Sequence, residues 1–122
     1  MEKKKILILE DEKSLARALQ LKLSRADFKV SVAYNGEEGL SATESEEFDF
    51  IICDLIMPKM DGFTFLREIR EKGISTPVLV LTNLSQKEDQ EKVSRFTSVT
   101  FFIKSDTPIN KIVEHVTSEL KD

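Results

Sequence analysis

Five short apolar runs, each followed by a stretch with helical spacing, constrain the fold of this 122-residue chain most strongly. The runs cover residues 5–9, 29–33, 48–53, 78–81 and 99–103. Alternating strands and helices with short connections form a parallel sheet that carries helices on both faces. The sequence therefore predicts one doubly wound (βα)₅ α/β domain over residues 1–122, with no output domain.

The predicted helices lie between these runs and carry recognisable start signals. Apolar residues at helical spacing predict a first helix over about residues 13–26, after which Asp27 can take a left-handed conformation. The residues expected to open the four later helices are Asn35, Asp61, Ser85 and Thr107. Pro108 is expected at the first position of the last helix, which has one continuous apolar stripe.

Composition excludes several classes of function. The net charge of −4 and the absence of a large basic cluster argue against direct binding to nucleic acid. No apolar stretch reaches the roughly 18 residues of a membrane helix, so no membrane contact is expected. Cys53, the single cysteine, is expected to be a buried, inert thiol and fits a reducing compartment. These features predict a cytoplasmic protein.

The polar residues that end four of the runs are the candidate functional site. Glu10-Asp11, Asp54, Thr82 and Lys104 each follow a predicted strand. Open α/β sheets place their active sites at the carboxyl ends of the strands, so these side chains should lie close together. Taken singly, each residue has an ordinary structural explanation. Together, three acids would need a cation such as Mg²⁺, and a lysine and a hydroxyl could bind a phosphoryl group.

The ordered set Glu10-Asp11, Asp54-Leu-Ile-Met-Pro-Lys-Met-Asp61-Gly62, Thr82 and Lys104 resembles the receiver domain of bacterial response regulators, over nearly the whole chain. The resemblance implies a flavodoxin-like sheet of order 2-1-3-4-5. It also implies that Asp54 accepts a phosphoryl group from a sensor histidine kinase or a phosphotransfer protein.

The resemblance further implies a role for each site residue. Asp11, Asp54 and the backbone carbonyl of Ile56 would bind Mg²⁺ directly, with Glu10 acting mainly through water. Lys104, Thr82 and its neighbour Asn83 would line the phosphoryl group. Thr82 and Phe101 would move together and switch the face formed by helix 4, strand 5 and helix 5. That face would bind an output partner or a second copy of the chain.

Several positions depart from the family pattern. Glu10 stands where Asp is usual, and Asn83 replaces a small residue and is expected to narrow phosphate access. Ser105 replaces the proline that usually follows the lysine across a cis bond, so this loop is either cis and strained or trans and rearranged. The segment 94–100 lacks the usual Gly-Ala turn. Ile56 and Leu84 are apolar and would not orient water, which predicts slow self-dephosphorylation. Beyond this reaction and self-phosphorylation, no enzymatic activity is expected.

One alternative function remains, and two others are disfavoured. The altered positions are compatible with an interaction module that no longer uses phosphate. A phosphatase with an aspartyl nucleophile would need a second Asp at the position of Ile56, and a flavin-binding protein would not place acids after the first strand.

His115, the only histidine, is expected to be a solvated or interface residue.

Overall fold

Five parallel strands form one sheet in the order β2-β1-β3-β4-β5, which confirms the predicted fold and strand order. The computed structural model describes residues 2–84 and 86–121. The strands are β1 (Lys5–Leu9), β2 (Lys29–Ala33), β3 (Phe50–Cys53), β4 (Val78–Thr82) and β5 (Val99–Ile103). The helices are α1 (Lys13–Arg25), α2 (Gly36–Ser45), α3 (Gly62–Glu71), α4 (Lys87–Ser94) and α5 (Ile109–Glu119), and a 3₁₀ turn covers Lys104–Asp106.

The two faces of the sheet carry separate cores because successive strand side chains point to opposite sides. Leu7, Leu9 and Cys53 belong to the core that α2, α3 and α4 cover. Ile6 and Ile8 belong to the core that α1 and α5 cover. Cys53 is fully buried, as predicted, and burial raises the pKa of its thiol well above the ordinary value.

Local signals in the sequence explain most of the helix ends. Asn35 caps α2 by accepting a hydrogen bond from the Glu38 backbone N–H at 2.9 Å, while the Glu38 side chain accepts from Tyr34 N–H and from the Asn35 amide. Asp61 caps α3 through Thr64 N–H at 2.8 Å. After α1, Asp27 has a φ of 74°, the left-handed conformation expected there.

The starts of the last two helices differ from the prediction. Thr107 does not cap α5: its hydroxyl donates to the Ile103 carbonyl at 2.8 Å, and Pro108 is the residue that precedes the first helical turn. Thr107 instead closes the preceding 3₁₀ turn, because its N–H donates to the Lys104 carbonyl, so α5 begins at Ile109, one residue later than expected. The predicted cap Ser85 lies outside the described residues, and Gln86 precedes α4 without a capping side chain.

Two further expectations concern α5 and the turn before it. His115, expected to be a solvated or interface residue, is partly buried, and its ring packs edge-on against Phe50 and Phe102, with centroids 6.1 and 5.0 Å away. His115 lies beside the apolar stripe of α5, but this side of the helix still faces the sheet. The Lys104–Ser105 bond is trans, since the described residues contain no cis peptide bond.

In the part of the chain that the structure describes, no helix is long and apolar enough to span a membrane.

Candidate functional site

The ends of β1 and β3 bring two carboxylates to the same edge of the sheet. Leu9 and Cys53 are register partners, so Glu10 and Asp54 follow them side by side. The Asp54 backbone N–H donates to the Leu9 carbonyl at 3.1 Å, and the Glu10 N–H donates to the Ala33 carbonyl at 3.0 Å. Strand pairing therefore continues one residue beyond the strands and fixes both backbones.

Glu10, Asp11 and Asp54 form a cluster in which one carboxylate oxygen from each lies within 4.8 Å of the others. Glu10 and Asp54 are buried, whereas Asp11 is exposed at the rim. Like charges this close disfavour joint ionisation unless a cation neutralises them. The cluster predicted from the sequence is therefore present as a single group that requires positive charge.

Lys104 supplies positive charge from the end of β5. Its Nζ lies 2.7 Å from Glu10 Oε1 and 2.7 Å from Asp54 Oδ2. The side chain of Lys104 is 15% exposed, and those of Glu10 and Asp54 are 3% and 8% exposed. Because water is largely excluded, this bridge is a stronger electrostatic contact than an exposed ion pair.

Burial and charge act in opposite directions on these groups. Burial raises the pKa of Glu10 above its ordinary value, although hydrogen bonds from Lys104 and from the Glu12 backbone N–H partly offset this effect. Burial alone would lower the pKa of Lys104, but hydrogen bonds to Asp54 and Glu10 outweigh it and raise that pKa. Lys104 is therefore held in its charged form at neutral pH.

The carboxylate of Asp54 is held in one orientation. Its Oδ1 accepts hydrogen bonds from the backbone N–H groups of Leu55 at 2.7 Å and Ile56 at 3.3 Å, which leaves Oδ2 toward Lys104. Gly62 lies against this segment, because a Cβ there would overlap the Asp54 carbonyl oxygen and the Leu55 Cα. The absence of a side chain at Gly62 therefore allows α3 to pack directly behind Asp54.

The donor set fits a magnesium ion. Magnesium prefers oxygen ligands, keeps several waters and is bound through a few carboxylates. The cluster offers only carboxylate oxygens, and exposed Asp11 leaves one side open to water. Three carboxylates and the Lys104 ammonium leave a formal charge of −2, which a divalent ion would balance.

The other predicted residues lie around this cluster. Thr82 is fully buried, and its hydroxyl accepts a hydrogen bond from the Leu84 N–H at 3.3 Å. Phe101 is partly buried against the core on the α2–α4 side, and Ile56 is 59% exposed. Asn83 is exposed at the loop that follows β4. The described contacts bring Glu10, Asp11, Asp54 and Lys104 together but do not join Thr82 or Phe101 to them.

Two contacts at this edge were not predicted from the sequence. Lys104 binds Glu10 as well as Asp54, and Asn83 Oδ1 accepts a hydrogen bond from the Ser105 N–H at 3.0 Å. Both contacts join segments that are far apart in the chain, and no local sequence pattern predicts either contact. The sequence held one signal for these contacts: Glu10, Asn83 and Ser105 each differ from the residue that is usual at that position in the family.

Comparison with known proteins agrees with this arrangement. The family model described as response regulator receiver domain matches residues 6–117. The response regulator ArlR of Staphylococcus aureus is 40% identical over 85 residues, which are 70% of this chain and 38% of that protein. The transcriptional regulatory protein DltR of Streptococcus agalactiae is 36% identical over 86 residues, with the same shares. The matched region thus spans about two fifths of these relatives.

Solved structures show the same fold over nearly the full length. The chemotaxis protein CheY4 of Vibrio cholerae has a TM-score of 0.87 and 26% identity, covering 97% of this chain and 99% of that one. TrrA of Thermotoga maritima, solved in complex with Mg²⁺ and BeF, has a TM-score of 0.83 and 27% identity, covering 96% and 99%. The chain belongs to the receiver domain family of two-component response regulators, which are signalling domains rather than conventional enzymes.

Proposed function

We propose that Asp54 accepts a phosphoryl group from a phosphohistidine of a sensor histidine kinase or a phosphotransfer protein. The observation that carries this proposal is the convergence of Glu10, Asp11 and Asp54 with the Lys104 ammonium at one edge of the sheet. Phosphoryl transfer requires positioning and charge neutralisation more than covalent activation by the protein. The cluster has the groups for both tasks.

The transfer exchanges one bond to phosphorus for another. An oxygen of the Asp54 carboxylate forms a bond to phosphorus as the bond to the donor imidazole nitrogen breaks, and that nitrogen keeps the electron pair. Lys104, which already contacts Asp54 Oδ2, neutralises charge on the incoming group. Mg²⁺ held by Asp11, Asp54 and the Ile56 carbonyl, with Glu10 nearby, would supply further positive charge. Thr82 and Asn83 would lie beside the phosphoryl group.

The output side of the proposal concerns the face formed by α4, β5 and α5. Within α4 only Val93 is buried, so few contacts oppose movement of this helix. Phe101 is only partly buried and packs on the same core as Leu84, two residues after Thr82. Phosphorylation would shift the population of this region toward a second arrangement, in which a partner or a second copy of the chain binds.

The experiment that tests phosphoacceptance is intact mass measurement after incubation with Mg²⁺ and acetyl phosphate. We expect one added phosphoryl group on the wild type, none without metal, and none on Asp54→Asn. Labelling that persists in Asp54→Asn would show that another residue is the acceptor. Circular dichroism of both proteins checks that the substitution leaves the fold intact.

A second candidate function is a receiver that binds partners without phosphorylation. One observation favours it: Lys104 already pairs with both buried carboxylates, so each of them has a cationic partner without an added ion. A beryllofluoride titration in the presence of Mg²⁺ separates the two functions. If the wild type takes neither phosphoryl from acetyl phosphate nor beryllofluoride, the phosphorylation-independent function is the better explanation.

A further inference from the structure

The turn that carries Lys104 has no proline to fix it. Residues Lys104–Asp106 form a 3₁₀ turn directly after β5, and the first N–H groups of such a turn have no partner within it. Two bonds from Thr107 close the turn, from its N–H to the Lys104 carbonyl at 3.3 Å and from its hydroxyl to the Ile103 carbonyl at 2.8 Å. Neither involves the Ser105 N–H, whose hydrogen-bond partner comes from outside the turn.

Asn83 makes that contact. Its side-chain oxygen accepts the Ser105 N–H at 3.0 Å, from the loop after the neighbouring strand β4. Thr82 and Ile103 are register partners at the ends of β4 and β5, so Asn83 and Ser105 each lie just beyond this pair. The bond joins the two loops one residue beyond Thr82 and one residue beyond Lys104.

We infer that Asn83 is a positioning residue that holds the Lys104 turn in place of the missing proline. This inference rests on the proposed function, because its benefit is the placement of the Lys104 ammonium for the phosphoryl group. It adds to the expectation that Asn83 narrows phosphate access, which stays a prediction, because the Asn83 side-chain oxygen accepts from the Ser105 backbone. The magnesium ligands lie on other segments, so their backbones are not held by this bond.

Measuring beryllofluoride affinity and Mg²⁺ affinity separately tests the inference. Asn83→Ala should weaken beryllofluoride binding by about fivefold, the scale of one lost hydrogen bond. Mg²⁺ affinity should not fall, because a displaced Lys104 ammonium would leave the carboxylates more negative. It should also speed hydrogen exchange of the Ser105 amide, observed by nuclear magnetic resonance. The matched control is Asn110→Ala, the same change at an exposed position of α5.

A second variant separates a positioning role from general damage to the loop. Ser105→Pro has no N–H to donate, so adding Asn83→Ala to it should weaken beryllofluoride binding no further. If the losses of beryllofluoride affinity in Asn83→Ala and Ser105→Pro add up in the double variant, the inference is overturned.

Two other outcomes distinguish this inference from the proposed function. Tighter or unchanged beryllofluoride binding in Asn83→Ala, with normal binding by the wild type, would overturn only the role of Asn83. Absence of beryllofluoride binding by the wild type would overturn the proposed function together with that role.

Discussion

Replacing Lys104 by methionine should destabilise the protein in the absence of metal. The substitution keeps most of the side-chain length but removes the charge that lies 2.7 Å from both Glu10 and Asp54. Removing one partner of a buried ion pair costs about 3–5 kcal/mol, because an uncompensated charge stays behind. Since Asp11 keeps one side of the cluster open to water, we expect the lower end, about 3 kcal/mol of unfolding free energy.

The matched control is Lys72→Met. Lys72 and Glu44 form an ion pair with the same N–O distance of 2.7 Å, but their side chains are 40% and 53% exposed. An exposed pair contributes at most about 1 kcal/mol, so this variant should unfold almost like the wild type. The two sites share the ammonium–carboxylate distance and differ in burial and in the number of carboxylates, since Lys104 contacts two and Lys72 contacts one.

Chemical denaturation at pH 7, with and without Mg²⁺, measures the loss of stability in each lysine variant and the stabilisation that Mg²⁺ provides. The raised pKa of Lys104 means that its stabilising contribution is fully present below the ordinary lysine pKa and is lost as the pH rises through the raised value. In Lys104→Met the cluster has one more net negative charge, so Mg²⁺ should stabilise this variant more than it stabilises the wild type. Equal losses in the two lysine variants, or no larger effect of Mg²⁺, would refute the electrostatic reasoning.

Three further outcomes follow from individual contacts. Gly62→Ala should lower the unfolding free energy by about 1–3 kcal/mol, because backbone atoms that cannot yield occupy the space of the new methyl group; denaturation that matches the wild type would contradict this. Arg70 donates to the carbonyls of Ile74, Thr76 and Thr97, so Arg70→Met should cost about 2 kcal/mol in thermal or chemical unfolding, whereas Arg67→Met should cost little. If Asp54 is phosphorylated, the acyl phosphate should persist for minutes or longer with Mg²⁺ present, because Ile56 offers no group to orient water; decay within seconds, followed by intact mass, would contradict this.

Periodicity and residue type predicted the sheet and its edge well. Strand β1 and strand β2 have the predicted bounds, and α1 ends one residue before the predicted end. These elements depend on burial of alternate faces, a property that the sequence carries locally. The meeting of Glu10, Asp11 and Asp54 was also predictable, because parallel strands place their carboxyl ends together.

The contacts that were not predicted join segments whose relative placement depends on loop backbone. Arg70 reaches the carbonyl of Thr97, 27 residues away, in the segment that lacks the usual Gly-Ala turn, where Ser98 has a φ of 56°. Thr107 was mistaken for a cap because the 3₁₀ turn shifted the start of α5 by one residue. His115 was expected to be a solvated or interface residue, but the neighbouring rings of Phe50 and Phe102 widen the buried face of α5 to include it.

The departures from the family pattern at this edge act on one side chain. Glu10 contacts the Lys104 ammonium directly, and Ser105 joins the Lys104 turn to Asn83. Lys104 is therefore held from its charged end by carboxylates and from its backbone by a neighbouring loop. Residues that share a partner in this way are energetically coupled, so the effect of changing one depends on the others. Exchanging Glu10, Asn83 or Ser105 alone for the residue usual in the family is consequently not a neutral change, although each usual residue works in its own context.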